Sequence, residues 1–197
     1  MKDIGAFGYI VIVFIFIIIL KIYLESDMFQ LKCVISEVDG KKYCVRERAK
    51  LMLAADLLAT TTEKMKKLVV YIKKEYPTRE NCQRLARKFN PTAVREILPT
   101  SKYTAYSENK GQKLAFCVTT TKEGNKLIDQ NTLTFVALHE LAHIMTKSIG
   151  HKDEFWNNFK FLLENAKKIG IYEPVDYKQQ NVNYCGMTIS DNPLFDL

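Results

Sequence analysis

Glycine and proline are scarce in this chain, with 8 Gly and 5 Pro among 197 residues, while 47% of the residues are hydrophobic. This composition excludes a mainly disordered chain, because enough apolar surface is available to build a core. No internal repeat, low-complexity linker or dense basic block is present, so the net charge of +7 comes from scattered lysines. This charge distribution is equally compatible with a solvated surface, a phosphate-rich partner and an anionic membrane. We predict one soluble domain over residues 31–197.

Charge is missing from the N-terminal segment. No charged residue occurs from Ile4 to Leu20, and if the Lys21 ammonium snorkels to the interface, the apolar run extends to Leu24. About 20 such residues span a bilayer as a helix. A cleaved signal peptide and a buried core helix are the alternatives, but no small-x-small cleavage site follows the run. Residues 1–30 are therefore predicted to form an uncleaved anchor and its flank, with membrane contact through residues 4–24.

The charges around this segment predict its orientation. Lys2 precedes the apolar run, whereas four lysines follow it, namely Lys21, Lys32, Lys41 and Lys42. The positive-inside rule then favours a cytosolic domain. The difference in charge between the two sides is small, because Glu25 and Asp27 lie beside the lysines that follow the run.

Five cysteines leave the redox compartment open. Cys33 and Cys44 flank a segment with the Asp39-Gly40 turn signal of a β-hairpin. A disulfide between them would indicate an oxidising compartment, and two reduced strand cysteines are the equal alternative.

Periodicity along the remaining chain predicts an α+β domain. Apolar residues recur at steps of four and three in one long segment, and turn signals separate the shorter segments. The predicted elements are a hairpin over 31–46, helices from Arg46 to Lys74, from Glu80 to Phe89 and from Asn90-Pro91 to just before Pro99, a strand from Lys113 to Thr120, and a helix that opens at Asn131-Thr132.

Histidine occurs only three times, and all three residues lie within 139–151. Residues 139–143 read His-Glu-Leu-Ala-His, and side chains four apart share one face of a helix. His139 and His143 can therefore bind one ion, with Glu140 beside it as a general base for the attacking water. Apolar residues on both sides of the motif predict that this helix is buried.

A catalytic zinc site needs a third protein ligand and an open fourth position. His151 supplies the ligand, since Gly150 has the backbone freedom to end the loop after the first helix. Asp153 and Glu154 suit the first turn of a second helix, which is predicted to start at His151. We thus predict one Zn²⁺ ion held by His139, His143 and His151, with Glu140 as the catalytic residue.

Two other interpretations of the motif remain. An ordinary surface helix with two histidines and a salt-bridged glutamate gives the same short pattern. Alternatively, the zinc is structural and closed by a fourth ligand, for which Cys117 or Cys185 is available.

The stretch from Ser107 to Ala166 resembles the WLM family of zinc metallopeptidases, relatives of the SprT and Spartan proteases. The resemblance is carried by Glu108–Phe116, Leu138–His143, Gly150-His151 and Phe155-Trp156. It implies a metalloendopeptidase with a minimal zincin fold, in which a small antiparallel sheet accompanies the active-site helix and the third-ligand helix. It also implies that the strand Lys113–Thr120 is the sheet edge that binds an extended substrate.

Two features depart from that family. The seven residues 144–150 separate the second histidine from the third, which is a longer gap than the family pattern. A membrane anchor is also out of place in a family associated with DNA–protein crosslinks, and no basic, aromatic DNA-binding segment is present. Nucleic acid is therefore not the expected partner, although a nucleic-acid-associated protease stays as a third option.

Tyrosine and asparagine are frequent in the tail, residues 172–197. Tyr177 or Tyr184 could donate a hydrogen bond to an oxyanion, but a loop packed over the helices is the favoured interpretation. The expected function is a membrane-tethered zinc metallopeptidase acting on protein or peptide substrates. The alternative is a non-catalytic, zinc-stabilised structural or binding protein with the same anchor.

Overall fold

The computed structural model describes residues 5–24, 31–98 and 100–196. Helix α1 spans Ala6–Leu24, and none of its apolar span is buried against the rest of the chain. It is therefore not a core helix, and by length and composition it suits a membrane anchor or a signal sequence. The orientation prediction used Lys2, Glu25 and Asp27, which lie outside the described residues, as do Ile4 and Pro99.

Beyond α1, the described residues form four more helices and seven short strands. The helices are α2 (Leu51–Glu75), α3 (Glu80–Lys88), α4 (Gln130–Met145) and α5 (Asp153–Lys168). The strands are β1 (Leu31–Ile35), β2 (Lys42–Arg46), β3 (Val94–Glu96), β4 (Ala105–Glu108), β5 (Lys113–Phe116), β6 (Val182–Tyr184) and β7 (Met187–Ile189). The predicted α+β class with an N-terminal apolar helix is confirmed.

The three-stranded sheet has the order β3-β5-β4, in which β3 is parallel and β4 antiparallel to β5. It is therefore mixed, whereas the family resemblance implied an antiparallel sheet. The assignment of Lys113–Thr120 as the edge strand was also wrong. Ala115 of β5 pairs with both Arg95 and Tyr106, so β5 is central, ends at Phe116 and leaves β4 as an edge.

The predicted helix from Asn90-Pro91 does not form. The Asn90 side chain accepts hydrogen bonds from the backbone N–H and the hydroxyl of Thr92, at 3.1 and 2.7 Å. This local turn competes with helical hydrogen bonding, and the following residues pair with β5 instead. The helix-start signal at Asn90-Pro91 is therefore outweighed by strand pairing.

The hairpin β1–β2 pairs Cys33 with Cys44, and the two residues form a disulfide. Arg46 ends β2, although it was predicted to start the long helix. Its side chain and its backbone N–H donate to the buried carboxylate of Glu96 at 2.6 and 2.7 Å. This ion pair ties β2 to β3 and keeps Arg46 in the strand. The long helix starts at Leu51.

Helix α4 lies at the centre of the domain and contacts α2, α3, α5 and β4. The Asp129 side chain caps it by accepting from the Thr132 N–H at 2.8 Å. Most of its residues are buried, as expected for a helix that is apolar on several faces. This packing presents one partly open stripe of α4 to solvent.

Candidate metal centre

Two of the predicted ligands, His139 and His143, lie on the partly exposed stripe of α4. His151 reaches them from the segment between α4 and α5, two residues before α5 begins rather than at its first residue. Its Nε2 atom is 3.1 Å from Nε2 of His139 and 3.1 Å from Nε2 of His143. The structure therefore brings together all three histidines singled out in the sequence.

This geometry fits one metal ion. With Zn–N bonds of about 2.0–2.1 Å, two nitrogen ligands of a tetrahedral zinc are about 3.3 Å apart. The ligand atoms of the three histidines all lie within 4.8 Å of one another. The described residues can thus bind a metal through three imidazoles, and zinc remains the predicted ion.

Burial keeps the two helical histidines neutral. It lowers the pKa of His139 to about 3 and that of His143 to about 4, and repulsion between the neighbouring rings acts in the same direction. A neutral imidazole has a free lone pair, which is the form that binds a metal. Both side chains are therefore available as ligands at neutral pH.

One phenylalanine packs against all three rings. The centroid of the buried Phe155 ring is 4.8 Å from His139, 4.4 Å from His143 and 4.5 Å from His151. An apolar neighbour on this side excludes water and limits the orientations of the imidazoles. The sequence singled out Phe155 only as part of the family resemblance, since a sequence pattern does not show which residues share a contact.

Glu140 follows the first histidine and is only 5% exposed. Burial raises the pKa of this carboxyl to about 8. A bound cation would lower the pKa again, because positive charge favours the carboxylate. A buried carboxyl beside a metal site is a group that can exchange a proton with a metal-bound water.

A cleft of about 1160 Å³ runs past the histidines. The segment of residues 103–108, which includes the edge strand β4, lines one side, and residues 187–191 line another. Its walls are mostly apolar, and two large side chains at its rim, Tyr103 and Trp156, are partly exposed. An extended chain could lie along β4 and pass over the metal centre.

Residues of the tail also line this cleft and pack against the domain. The Tyr184 hydroxyl donates to the Thr104 carbonyl at 3.1 Å, and the Tyr177 ring packs on Phe135 at 4.9 Å. Both tyrosines are buried, which agrees with the packing interpretation of the tail. We therefore assign neither tyrosine hydroxyl the role of hydrogen-bond donor to an oxyanion.

Cysteine does not complete the metal centre. Cys117 and Cys185 form a disulfide that joins the segment after β5 to the β6–β7 hairpin. Neither thiolate is therefore free to act as a fourth ligand, which argues against a closed structural site. The remaining described cysteine without a disulfide, Cys82, is buried in α3.

Sequence comparisons identify relatives among virus proteins. An uncharacterized protein of Acanthamoeba polyphaga mimivirus is 28% identical over 163 residues, which cover 81% of this chain and 82% of the relative. Uncharacterized proteins of invertebrate iridescent viruses 6 and 3 are 37% identical over 97 residues and 39% identical over 83 residues. Those alignments cover 49% and 42% of this chain and 53% and 50% of the relatives.

No family model and no solved structure matches the chain. The names of the virus relatives state no activity. Any assignment of function therefore rests on the geometry of the site.

Proposed function

We propose that this protein is a zinc metallopeptidase with a minimal zincin fold. One observation carries the proposal: Nε2 of His151 lies 3.1 Å from Nε2 of both His139 and His143, in a cleft that is also lined by a buried carboxyl, Glu140. Three imidazole ligands with no fourth cysteine are typical of a catalytic zinc site rather than a structural one. The resemblance of residues 107–166 to the WLM family supports the same reaction.

The residues have distinct roles in this proposal. His139, His143 and His151 would hold one Zn²⁺ ion, which when bound supplies a Lewis acid for the water and the scissile carbonyl. Glu140 accepts a proton from the attacking water and donates it to the leaving amine. Phe155 keeps the opposite side of the imidazoles dry, which strengthens the electrostatic interactions within the site.

The substrate would be a protein or peptide segment in an extended conformation. In the described sheet the outer edge of β4 has no partner strand, and β4 lines the cleft. Such an edge binds an extended chain through main-chain hydrogen bonds, while the cleft walls receive alternate side chains. The substrate edge is thus reassigned from β5 to β4.

Replacement of the general base tests the proposed reaction. Glu140→Gln should retain one zinc per chain and lose at least about 10²-fold in the rate of peptide hydrolysis. Metal analysis and cleavage of a peptide library measure the two properties on the full-length protein. Glu164→Gln is the matched control, because Glu164 is an exposed carboxyl on α5 that lies outside the cleft.

Three outcomes separate the candidate functions. Hydrolysis by Glu140→Gln at the wild-type rate would rule out its role as the base. One bound zinc without cleavage of any peptide, together with loss of thermal stability on chelation, would instead support the zinc-stabilised binding protein. Salt-sensitive DNA binding by residues 31–197 would favour the nucleic-acid-associated protease.

The proposal includes a membrane setting with α1 as an uncleaved anchor. The lysine count predicted a cytosolic domain, but the two disulfides, Cys33–Cys44 and Cys117–Cys185, are typical of an oxidising compartment. We give the disulfides more weight, since the charge difference across α1 is small. The catalytic domain is therefore assigned to the oxidising side of the membrane.

A further inference from the structure

The third ligand, His151, is carried by a segment without regular structure. Helix α4 ends at Met145, and residues 146–152 connect it to α5. A segment of this kind loses conformational entropy when it is held in one position, so specific contacts must restrain it. Two charged side chains provide them.

Lys110 holds one side of the segment. Its ammonium donates to the main-chain carbonyls of Thr146 at 2.7 Å, Lys147 at 3.1 Å and Ser148 at 2.8 Å. Three donors on one ammonium thus meet three successive carbonyls at the end of α4. A cation at the C-terminus of a helix also stabilises the helix dipole.

Glu154 holds the other side from the first turn of α5. Its carboxylate accepts the Lys147 N–H at 2.8 Å and the Ser148 N–H at 3.0 Å. Charge-assisted hydrogen bonds of this type are stronger than neutral ones. Both the carbonyl and the amide of residues 147 and 148 are therefore restrained by charged side chains.

The backbone around Lys110 is unusual. Asn109, Lys110 and Gly111 have φ values of +48°, +53° and +109°, in the left-handed region that non-glycine residues rarely adopt. Such conformations cost free energy and persist where the surroundings determine them, often at functional sites. Here the turn between β4 and β5 directs the Lys110 side chain toward the segment that carries the third ligand.

We propose that Lys110 and Glu154 are positioning residues that present His151 to the metal. The inference rests on the proposed metal site and adds to it the residues that preorganise its third ligand. His151 follows the restrained residues by only three positions, so displacement of Ser148 displaces the imidazole. Residues that orient a ligand typically change metal affinity by about 10–100-fold when they are replaced.

Zinc affinity of the full-length protein, measured by competition with a chelator, tests the proposal. Lys110→Met should weaken zinc binding by about 10–100-fold, because the side-chain length is kept and the three hydrogen bonds are lost. Lys110→Arg should recover part of the affinity, since it keeps the charge in a different shape. Lys126→Met is the matched control, because Lys126 is exposed and lies outside the metal cleft.

Amide exchange of the metal-free protein separates positioning from general stability. Lys110→Met should raise exchange in residues 146–152 while the buried amides of α4 stay protected. Glu154→Gln provides a second variant if Lys110→Met fails to fold. It should raise amide exchange in the same segment and cause a smaller loss of zinc affinity. Wild-type affinity together with wild-type exchange in either folded variant would overturn the proposal.

Failure of the positioning role and failure of the proposed function give different results. A wild-type protein that binds zinc tightly but cleaves no peptide overturns the peptidase and leaves the affinity test of Lys110 intact. A wild-type protein that binds neither zinc nor cobalt overturns both proposals.

Discussion

Burial acts in opposite directions on neighbouring side chains of the metal centre. It lowers the pKa of His139 and of His143 and raises that of Glu140, because in each case the charged form is disfavoured away from water. The result at neutral pH is two neutral ligands beside a carboxyl whose pKa is near the working range. A single physical cause thus acts on both the candidate metal ligands and the proposed general base.

The raised pKa of Glu140 makes the stability of the metal-free protein depend on pH. Its pKa of about 8 in the folded state lies above the ordinary 4.5, so the folded state binds more protons between these values. The stability that the neutral carboxyl allows is complete below about pH 4.5 and is lost as the pH rises through about 8. Glu140→Gln removes this dependence.

Urea unfolding of the chelator-treated protein measures the effect. From about pH 5 to about pH 9, Glu140→Gln should become progressively more stable than the wild type, by at most about 1.4 kcal/mol for each unit of pKa shift. Saturating zinc should reduce the difference, since the cation favours the carboxylate. Parallel stability curves for the two metal-free proteins would contradict the prediction.

At the scale of elements, the turn between β4 and β5 packs closely against two helices at Gly111. A Cβ atom on Gly111 would lie 2.5 Å from the Lys88 carbonyl oxygen and 3.1 Å from Cδ1 of Ile144. Gly111→Ala should therefore destabilise the protein by about 2 kcal/mol or more, through strain at positive φ plus overlap. Denaturant unfolding measures the change.

Gly40→Ala is the control for this substitution. Gly40 also has a positive φ, of +67°, but a Cβ there meets nothing within 4 Å. It should cost only about 1 kcal/mol, the strain without the overlap. Equal costs at the two glycines would show that the contact with Lys88 is unimportant.

The elements that were predicted well have strong local patterns. The apolar stripe of α2 and the continuous apolar run of α1 each extend over several helical turns. The Asp39-Gly40 turn signal lies in the loop of the first hairpin. Residues 90–98 were predicted wrongly because the Asn90 turn and the pairing with β5 outweigh a weak helix signal. The edge strand was misassigned since sheet order is set by contacts between distant segments.

At the scale of the whole molecule, α1 and the domain are expected to be separable. Removal of residues 1–30 should release the protein from the membrane fraction, because α1 is the proposed anchor. The domain should stay folded, because none of the apolar span of α1 is buried against it. The released domain should still bind one zinc ion. Flotation with lipid vesicles measures the change, and retention of the shortened protein on the vesicles would contradict the anchor.

The disulfides predict the thiol content of the isolated protein. Five cysteines are present, and two disulfides leave Cys82 as the single free thiol. Maleimide labelling of the denatured full-length protein should modify one cysteine before reduction and five after it. Five labelled cysteines without a reductant would instead favour the cytosolic side that the lysine count predicted.

The sequence by itself determined the candidate ligands His139, His143 and His151, the proposed base Glu140 and the apolar N-terminal helix. Helical spacing and hydropathy are local properties, so a short stretch of chain is enough to show them. Only the tertiary structure decided that β4 is an edge of the described sheet, that Cys117 meets Cys185, and that Lys110 reaches the segment before His151. These contacts join residues far apart in the chain, and their partners are selected by the packing of the whole domain.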